Sequence, residues 1–266
     1  MITAPLDFIP LSVLFLLFGL FLWLGIEGGF WLGKWRQAQI KDEKEHPVGA
    51  MVASILGLVA LVLGFTFSLA GARFDARRMA VLEESNAIGT AWLRSQMLPQ
   101  PQQAEIGRLL KEYVEVRVHA TEDGQTQQAI VRSEELQGLL WAQATAVAEK
   151  DTHSIVTGIF IQSLNDVIDV HSKRVLVGIR SRIPLFIWLG LFCLSLLSMA
   201  SVGYQSALSG TRRSPAMLGL VLAFAVVLLL IADLDRGQEG LRRVSQQSMI
   251  DLQKSITPPD TSTHSP

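Results

Sequence analysis

Apolar and polar positions alternate in long blocks along the chain. From Ile9 to Ile26 the run IPLSVLFLLFGLFLWLGI carries no charge. Val48 to Ala72 is again uncharged for about 25 residues, long enough to cross a hydrocarbon core. After a long polar middle come IPLFIWLGLFCLSLLSMASVGY (183–204) and a further apolar run at 216–232. This pattern predicts four transmembrane helices at about 9–26, 48–70, 183–204 and 216–232. The short charged linker KDEKEH (41–46) and the loop with Ser209, Gly210, Arg212 and Arg213 make two antiparallel hairpins of them.

Between Arg73 and Arg182 the apolar residues switch to three- and four-residue spacing, the mark of amphipathic helices. Ile106, Leu109, Leu110, Tyr113 and Val116 share one face; Ile130, Leu136, Leu139, Leu140 and Ala144 share another. Val156, Phe160, Leu164, Val167, His171 and Val175 form a third, with Asp151 and Thr152 as N-cap candidates. Pro101 suits a helix start, and TEDGQT (121–126) reads as a turn. No alternating strand-like run occurs. The expected fold is an all-α membrane protein, four transmembrane helices fused to an extramembrane helical bundle. Its domains are a hairpin over 1–72, a soluble helical domain over 73–182, and a second hairpin over 183–232. A C-terminal amphipathic helix over 233–256 (Leu234, Leu241, Val244, Met249, Leu252) and a disordered tail over 257–266 follow.

One stretch organises the rest: from Pro47 to Pro99 no proline interrupts the chain. It predicts one helix that leaves the membrane and continues into water, or two helices in line. In its apolar half Gly49, Ala53, Gly57, Ala60, Gly64 and Ser68 fall along one face. Such a stripe admits a close helix neighbour or leaves room along a pore. Phe65 and Phe67 stand just before its end and are candidates for an apolar constriction that gates by dewetting. Below them Arg73, Asp75, Arg77 and Arg78 can form a charged collar with Asp233, Asp235 and Arg236 at the end of the fourth span. A structural charge lock and an ion vestibule are both compatible with it.

Composition narrows the classes. A formal net charge of −1 gives no global field for nucleic acid. The one cysteine, Cys193, permits neither an intrachain disulfide nor a thiolate metal site and reads as a small buried hydrophobe. The start lacks a basic n-region, so 9–26 is expected to be a retained span. Glu27 is either an intramembrane carboxylate or, as preferred, a headgroup-level residue beyond a span ending near Ile26, with Trp23, Trp31 and Trp35 forming an aromatic belt. Basic residues flanking the spans favour cytoplasmic termini and a cytoplasmic helical domain. No phosphate loop, nucleophile elbow or metal motif is present, so no enzyme, cofactor or metal is expected. The five histidines show no ligand spacing. Glu83 and Glu84 read as a solvated acidic pair, and His171 as a core histidine.

The segments LGFTFSLAGARFDARRMAVLEESNAIGTAWLR and LLIADLDRGQEGLRRVSQQSMIDL resemble the bacterial bestrophin-like membrane proteins of unassigned function. The resemblance runs from the first span to about Ile256. A proline often follows the DLDR run in that family, where this chain has Gly237. True bestrophins are similar in having four spans, cytoplasmic termini, a helical cytosolic part and a pentameric anion pore lined by the second span. Their pore-neck and calcium-binding motifs have no residue-by-residue match here, so no pore residue is carried over. The resemblance implies a homo-oligomer (a pentamer if bestrophin-like) in a bacterial inner membrane, conducting small anions, with the second span nearest the axis. The competing expectation is a membrane-tethered helical scaffold or sensor without transport.

Overall fold

The computed structural model describes residues 9–39, 45–120, 125–210, 214–236 and 244–257. Outside the described residues lie most of the 41–46 linker and the 121–126 turn, Arg212 and Arg213, Gly237, Leu241, and the tail beyond Thr257. Among the described residues there are eight α-helices and no strand. They are α1 (Leu11–Gln39), α2 (Glu45–Ser95), α3 (Gln102–His119), α4 (Thr126–Lys150), α5 (Ile155–Val175), α6 (Leu185–Leu208), α7 (Pro215–Asp235) and α8 (Gln247–Ile256). A π-helical turn, Leu176–Arg180, extends α5. Four helices are long and apolar enough to cross a membrane: α1, α2, α6 and α7. The protein is an all-α membrane protein.

The uninterrupted stretch is one helix: α2 runs for 51 residues, supplying its first part to one compact unit and its second to another. The first unit contains the described residues up to Phe74 and from Arg182 to Arg236; the second contains Asp75 to Ser181 and 244–257.

In the first unit α1 and α6 run parallel at a constant offset. Gly29 meets Ala200, Gly33 meets Tyr204, and Gln37 donates to the Leu208 carbonyl, each pair 171 positions apart. The contact is backbone on backbone. A Cβ placed on Gly29 would stand 1.8 Å from the Ala200 carbonyl oxygen, and one on Gly203 would stand 1.9 Å from that of Ile26. Gly25, Gly29 and Gly33 recur every four residues on α1 and make this approach feasible. The first helix therefore does not end near Ile26: it continues paired to α6 past Glu27, with Trp31 and Trp35 exposed on its last turns. Below the glycines Leu14, Phe18, Leu22 and Ile26 close the core with Trp188 and Leu191 of α6 and Ala225 and Leu228 of α7. Phe192 stacks on Trp188 at 5.6 Å and tilts against Phe18 at 5.7 Å. Val59, Leu63 and Ala70 of α2 complete it. Cys193, expected inside, is exposed; an outward face of a membrane helix is as apolar as its inward one, so apolarity does not report burial there.

In the second unit the predicted faces of α3, α4 and α5 converge. Ile106, Leu109, Leu110, Tyr113, Leu136, Leu140, Ala144, Phe160, Leu164 and Val167 form one core with Ile88 and Ala91 of α2. Leu139, expected with them, is exposed. The cap of α5 is Ser154, whose side chain accepts from the Thr157 N–H at 3.2 Å; Asp151 instead accepts from His153. Of the expected C-terminal helix the described residues from 244 onward show α8, where Ser245 Oγ accepts the Gln247 N–H; Leu241 lies outside the described residues. Met249 and Ile256 sink into the same core, and a Cβ on Gly89 would lie 3.4 Å from Leu252.

Candidate functional site

Three places in the chain gather polar or conspicuously unfilled chemistry. The first is the outward face of α2 within the membrane unit. Val52, Val59, Leu63, Thr66 and Ala70 repeat at seven-, four- and three-residue steps and are buried, which fixes the face turned to the core. Thr66 returns its hydroxyl to the Val62 carbonyl at 2.8 Å. At its start the stripe meets α6, where a Cβ on half-buried Gly49 would stand 2.9 Å from the Gln205 side chain. From there on it points away from the core, and Ala53, Gly57, Ala60, Gly64 and Ser68 are all exposed. At Gly57 and Gly64 a Cβ would meet nothing within 4 Å. Phe65 and Phe67 are also exposed, but a helix turning once per 3.6 residues sets them about 160° apart. Phe67 follows Gly64 by three positions and shares its side. Phe65 instead continues the large apolar column of Leu58 and Leu61.

The second place is the DLDR run, which holds the starts of two helices together. Asp235 Oδ1 accepts the Ile183 N–H at 2.8 Å, its main-chain carbonyl accepts from Arg182 Nη1 at 3.0 Å, and Arg236 Nη2 donates to the Ile9 carbonyl at 2.6 Å. Ile9 precedes α1 and Ile183 precedes α6, so one short motif fixes the entry of both parallel helices. Asp233, Asp235 and Arg236 are buried and Arg73 is half-buried in this unit; Arg77 is buried, and Asp75 and Arg78 exposed, in the other. Asp235→Ala leaves the buried Ile183 N–H without its acceptor, a cost of about 1–3 kcal/mol. A lower thermal midpoint in detergent is expected, with Asp235→Asn retaining most of the stability because its amide oxygen can still accept.

The third place, in the second unit, was not legible as a site. Glu84 is fully buried and lies at the centre of four helices. Arg117 Nε approaches its Oε1 at 3.0 Å, Arg174 Nη1 donates to its Oε2, and the Tyr113 hydroxyl lies 3.3 Å from Oε1. His171 Nδ1 stands 3.1 Å from the Tyr113 oxygen and 3.5 Å from Glu84, while Gln137 donates to Tyr113 at 3.1 Å. Burial alone pushes the Glu84 carboxyl up; the Arg174 charge, the His171 contact and Arg117 outweigh it and hold the group well below the usual carboxylate range. Burial, and then the Glu84 charge, push the Tyr113 phenol up, so it stays protonated as a donor. Neighbouring Glu83 has a different role: it pairs with Lys173 at 2.6 Å on the surface.

Comparison with known proteins decides the family. The model of the bestrophin-like domain matches residues 20–249. The chain belongs to the bestrophin-like family. Among solved structures, a bacterial bestrophin homologue from Klebsiella pneumoniae superposes with a TM-score of 0.64 at 16% identity, covering 93% of this chain and 97% of the other. A point-substituted form of that homologue gives 0.62 at 15% identity, over 92% and 98%. At such identity the likeness establishes the fold alone. Nothing among the curated proteins matches.

Within this bestrophin-like protein, sequence spacing held unused signals for the missed residues. Glu84 falls between Val81 and Ile88 at three- and four-residue steps, on the buried side of α2. His171 and Arg174 are three apart and therefore neighbours on α5. Among the described residues no cluster of three or more His, Cys, Asp or Glu is placed to hold a metal.

Proposed function

We propose that this bestrophin-like protein is an oligomeric channel for small anions with α2 nearest the pore axis. The observation that carries the reading is the outward face of α2, where Ala53, Gly57, Ala60, Gly64 and Ser68 are small and exposed. Lipid is served by bulky apolar side chains such as Leu58, Leu61 and Phe65; a column of small residues serves either a close neighbour or a water-filled path. A second copy brought to this face makes both in one assembly, a pentamer as the bestrophin resemblance implies. Phe67, on the same side, is the constriction, and Phe65 is its lipid-side neighbour. Arg73, Asp233, Asp235 and Arg236 form the charged collar of the membrane unit itself. The protein resides in a bacterial inner membrane with its termini and helical unit in the cytoplasm.

Protein reconstituted in liposomes tests the reading: chloride-dependent flux is expected, and Phe67→Ala raises it severalfold while Phe65→Ala changes it little. Confirmed reconstitution without anion flux overturns the channel. Flux that neither substitution alters overturns the constriction. A scaffold without transport is favoured by one other feature, the exposed apolar tips Leu93 and Ile155 in the second unit, where Arg94 of α2 donates to the Ile159 carbonyl of α5. A monomeric or dimeric particle in detergent selects the scaffold; a larger oligomer selects the channel.

A further inference from the structure

The Glu84 cluster contains one carboxylate and two guanidiniums, and the two arginines are not equivalent. Glu84 with Arg117 is a neutral pair within α2 and α3, further satisfied by the Tyr113 hydroxyl. Arg174 is paired to the same carboxylate, so the cluster carries one positive charge more than Glu84 balances, and a buried net charge is costly. The guanidinium also has an exit. Its side chain keeps 10% exposure, against 4% for Arg117 and none for Glu84. Burial depresses its pKa, with Glu84 opposing the effect. Its second arm, Nη2, donates to the Gln246 side-chain oxygen at 2.8 Å, directly ahead of α8.

That helix has ten residues, too few to be stable alone. It stays helical because Met249 and Ile256 are buried in the second unit's core, and a bond to a charged donor at its start adds materially to so short an anchor. We infer that Arg174 is a two-position latch: bound between Glu84 and Gln246 it holds α8 down, and withdrawn to the surface it frees α8 while leaving Glu84 paired with Arg117. The remaining cluster is then charge-balanced, so release does not require the α2–α5 core to open. This gives the unit two discrete arrangements separated by one side-chain movement.

Hydrogen exchange on the full-length protein in detergent tests the latch. Arg174→Met and Gln246→Leu cut the same bond from opposite sides. Each is expected to raise exchange over 247–256 about tenfold or more, the factor a lost charge-assisted bond implies, with protection over 106–114 retained. Arg117→Met is expected to remove protection in both regions, since it leaves Glu84 beside only the movable arginine. Unchanged exchange in α8 for either of the first two variants overturns the latch. So does an Arg174→Met protein that fails to fold or loses protection equally in α3, because Arg174 is then a fixed part of the core. An Arg117→Met protein with its core intact overturns the assigned asymmetry.

Discussion

Replacing Gly29 or Gly203 by alanine, a change of one methyl group, is expected to abolish the stable fold of the membrane unit. At both positions the added Cβ would fall within 2 Å of a backbone carbonyl on the partner helix, Ala200 for Gly29 and Ile26 for Gly203. Backbone atoms cannot rotate aside as side-chain tips can, so α1 and α6 must separate along the whole contact. Overpacking of a core costs about 1–3 kcal/mol and more where nothing can yield. Here the separation also loosens the Gly33–Ala207 contact one turn away. The measurement is the thermal midpoint and the yield of detergent-solubilised protein. Gly28→Ala is the control: a Cβ there meets nothing within 4 Å, and near-wild-type behaviour is expected. Equal melting of Gly29→Ala and Gly28→Ala would refute the close packing of α1 on α6.

These glycines show where sequence reasoning reached and where it stopped. The four spans were legible because each needs a run of about 20 apolar residues, which few other structures require. The small-residue stripe on α2 was equally visible, compatible with a close helix neighbour or with a pore, and at Gly57 and Gly64 the chain leaves open space. The packing stripe lies on α1, in Gly25, Gly29 and Gly33, where the same four-residue step was present in the sequence. Spacing identifies a face on which something can come close; it does not identify what comes. Within a bilayer the inward and outward faces of a helix are chemically alike, which is why Cys193 and Phe65 could not be assigned by hydropathy.

The water-exposed helices follow the opposite rule, and there the apolar faces of α3 and α5 were readable nearly residue by residue. The failure at Glu84 has a different cause. A glutamate beside a glutamate ordinarily marks a solvated face, and burying one demands partners that a single helix cannot display. Those partners, Arg117 and Arg174, come from α3 and α5, 33 and 90 positions away. Only the three-dimensional arrangement brings them together. The collar residues divide similarly. That Asp235 and Arg236 end α7 was readable; that they hold the entries of α1 and α6 through Ile9 and Ile183 depends on main-chain groups that carry no sequence signature.

Glu84→Gln should be the most damaging single change in the second unit. It removes the carboxylate and leaves Arg117 buried beside a neutral amide, with Arg174 deprived of its partner. Breaking a buried ion pair from one side costs about 3–5 kcal/mol, a large share of the roughly 5–15 kcal/mol that holds a domain together. Circular dichroism and limited proteolysis should therefore show the helices of this unit melting early. Glu83→Gln, which removes only the exposed pair with Lys173, should stay within about 1 kcal/mol of wild type. The acid limb carries the sign of the effect. Because the folded carboxyl titrates far below its ordinary value of 4.5, its contribution is fully present above that pH and is lost as the pH falls toward the folded value. The wild-type midpoint should hold its Glu84-dependent part between pH 7 and 5 and decline below about 4.5, the ordinary carboxylate value, whereas Glu84→Gln should lack that component of the decline. Identical acid limbs in the two proteins would mean that the buried carboxylate is not what binds α2 to α3 and α5.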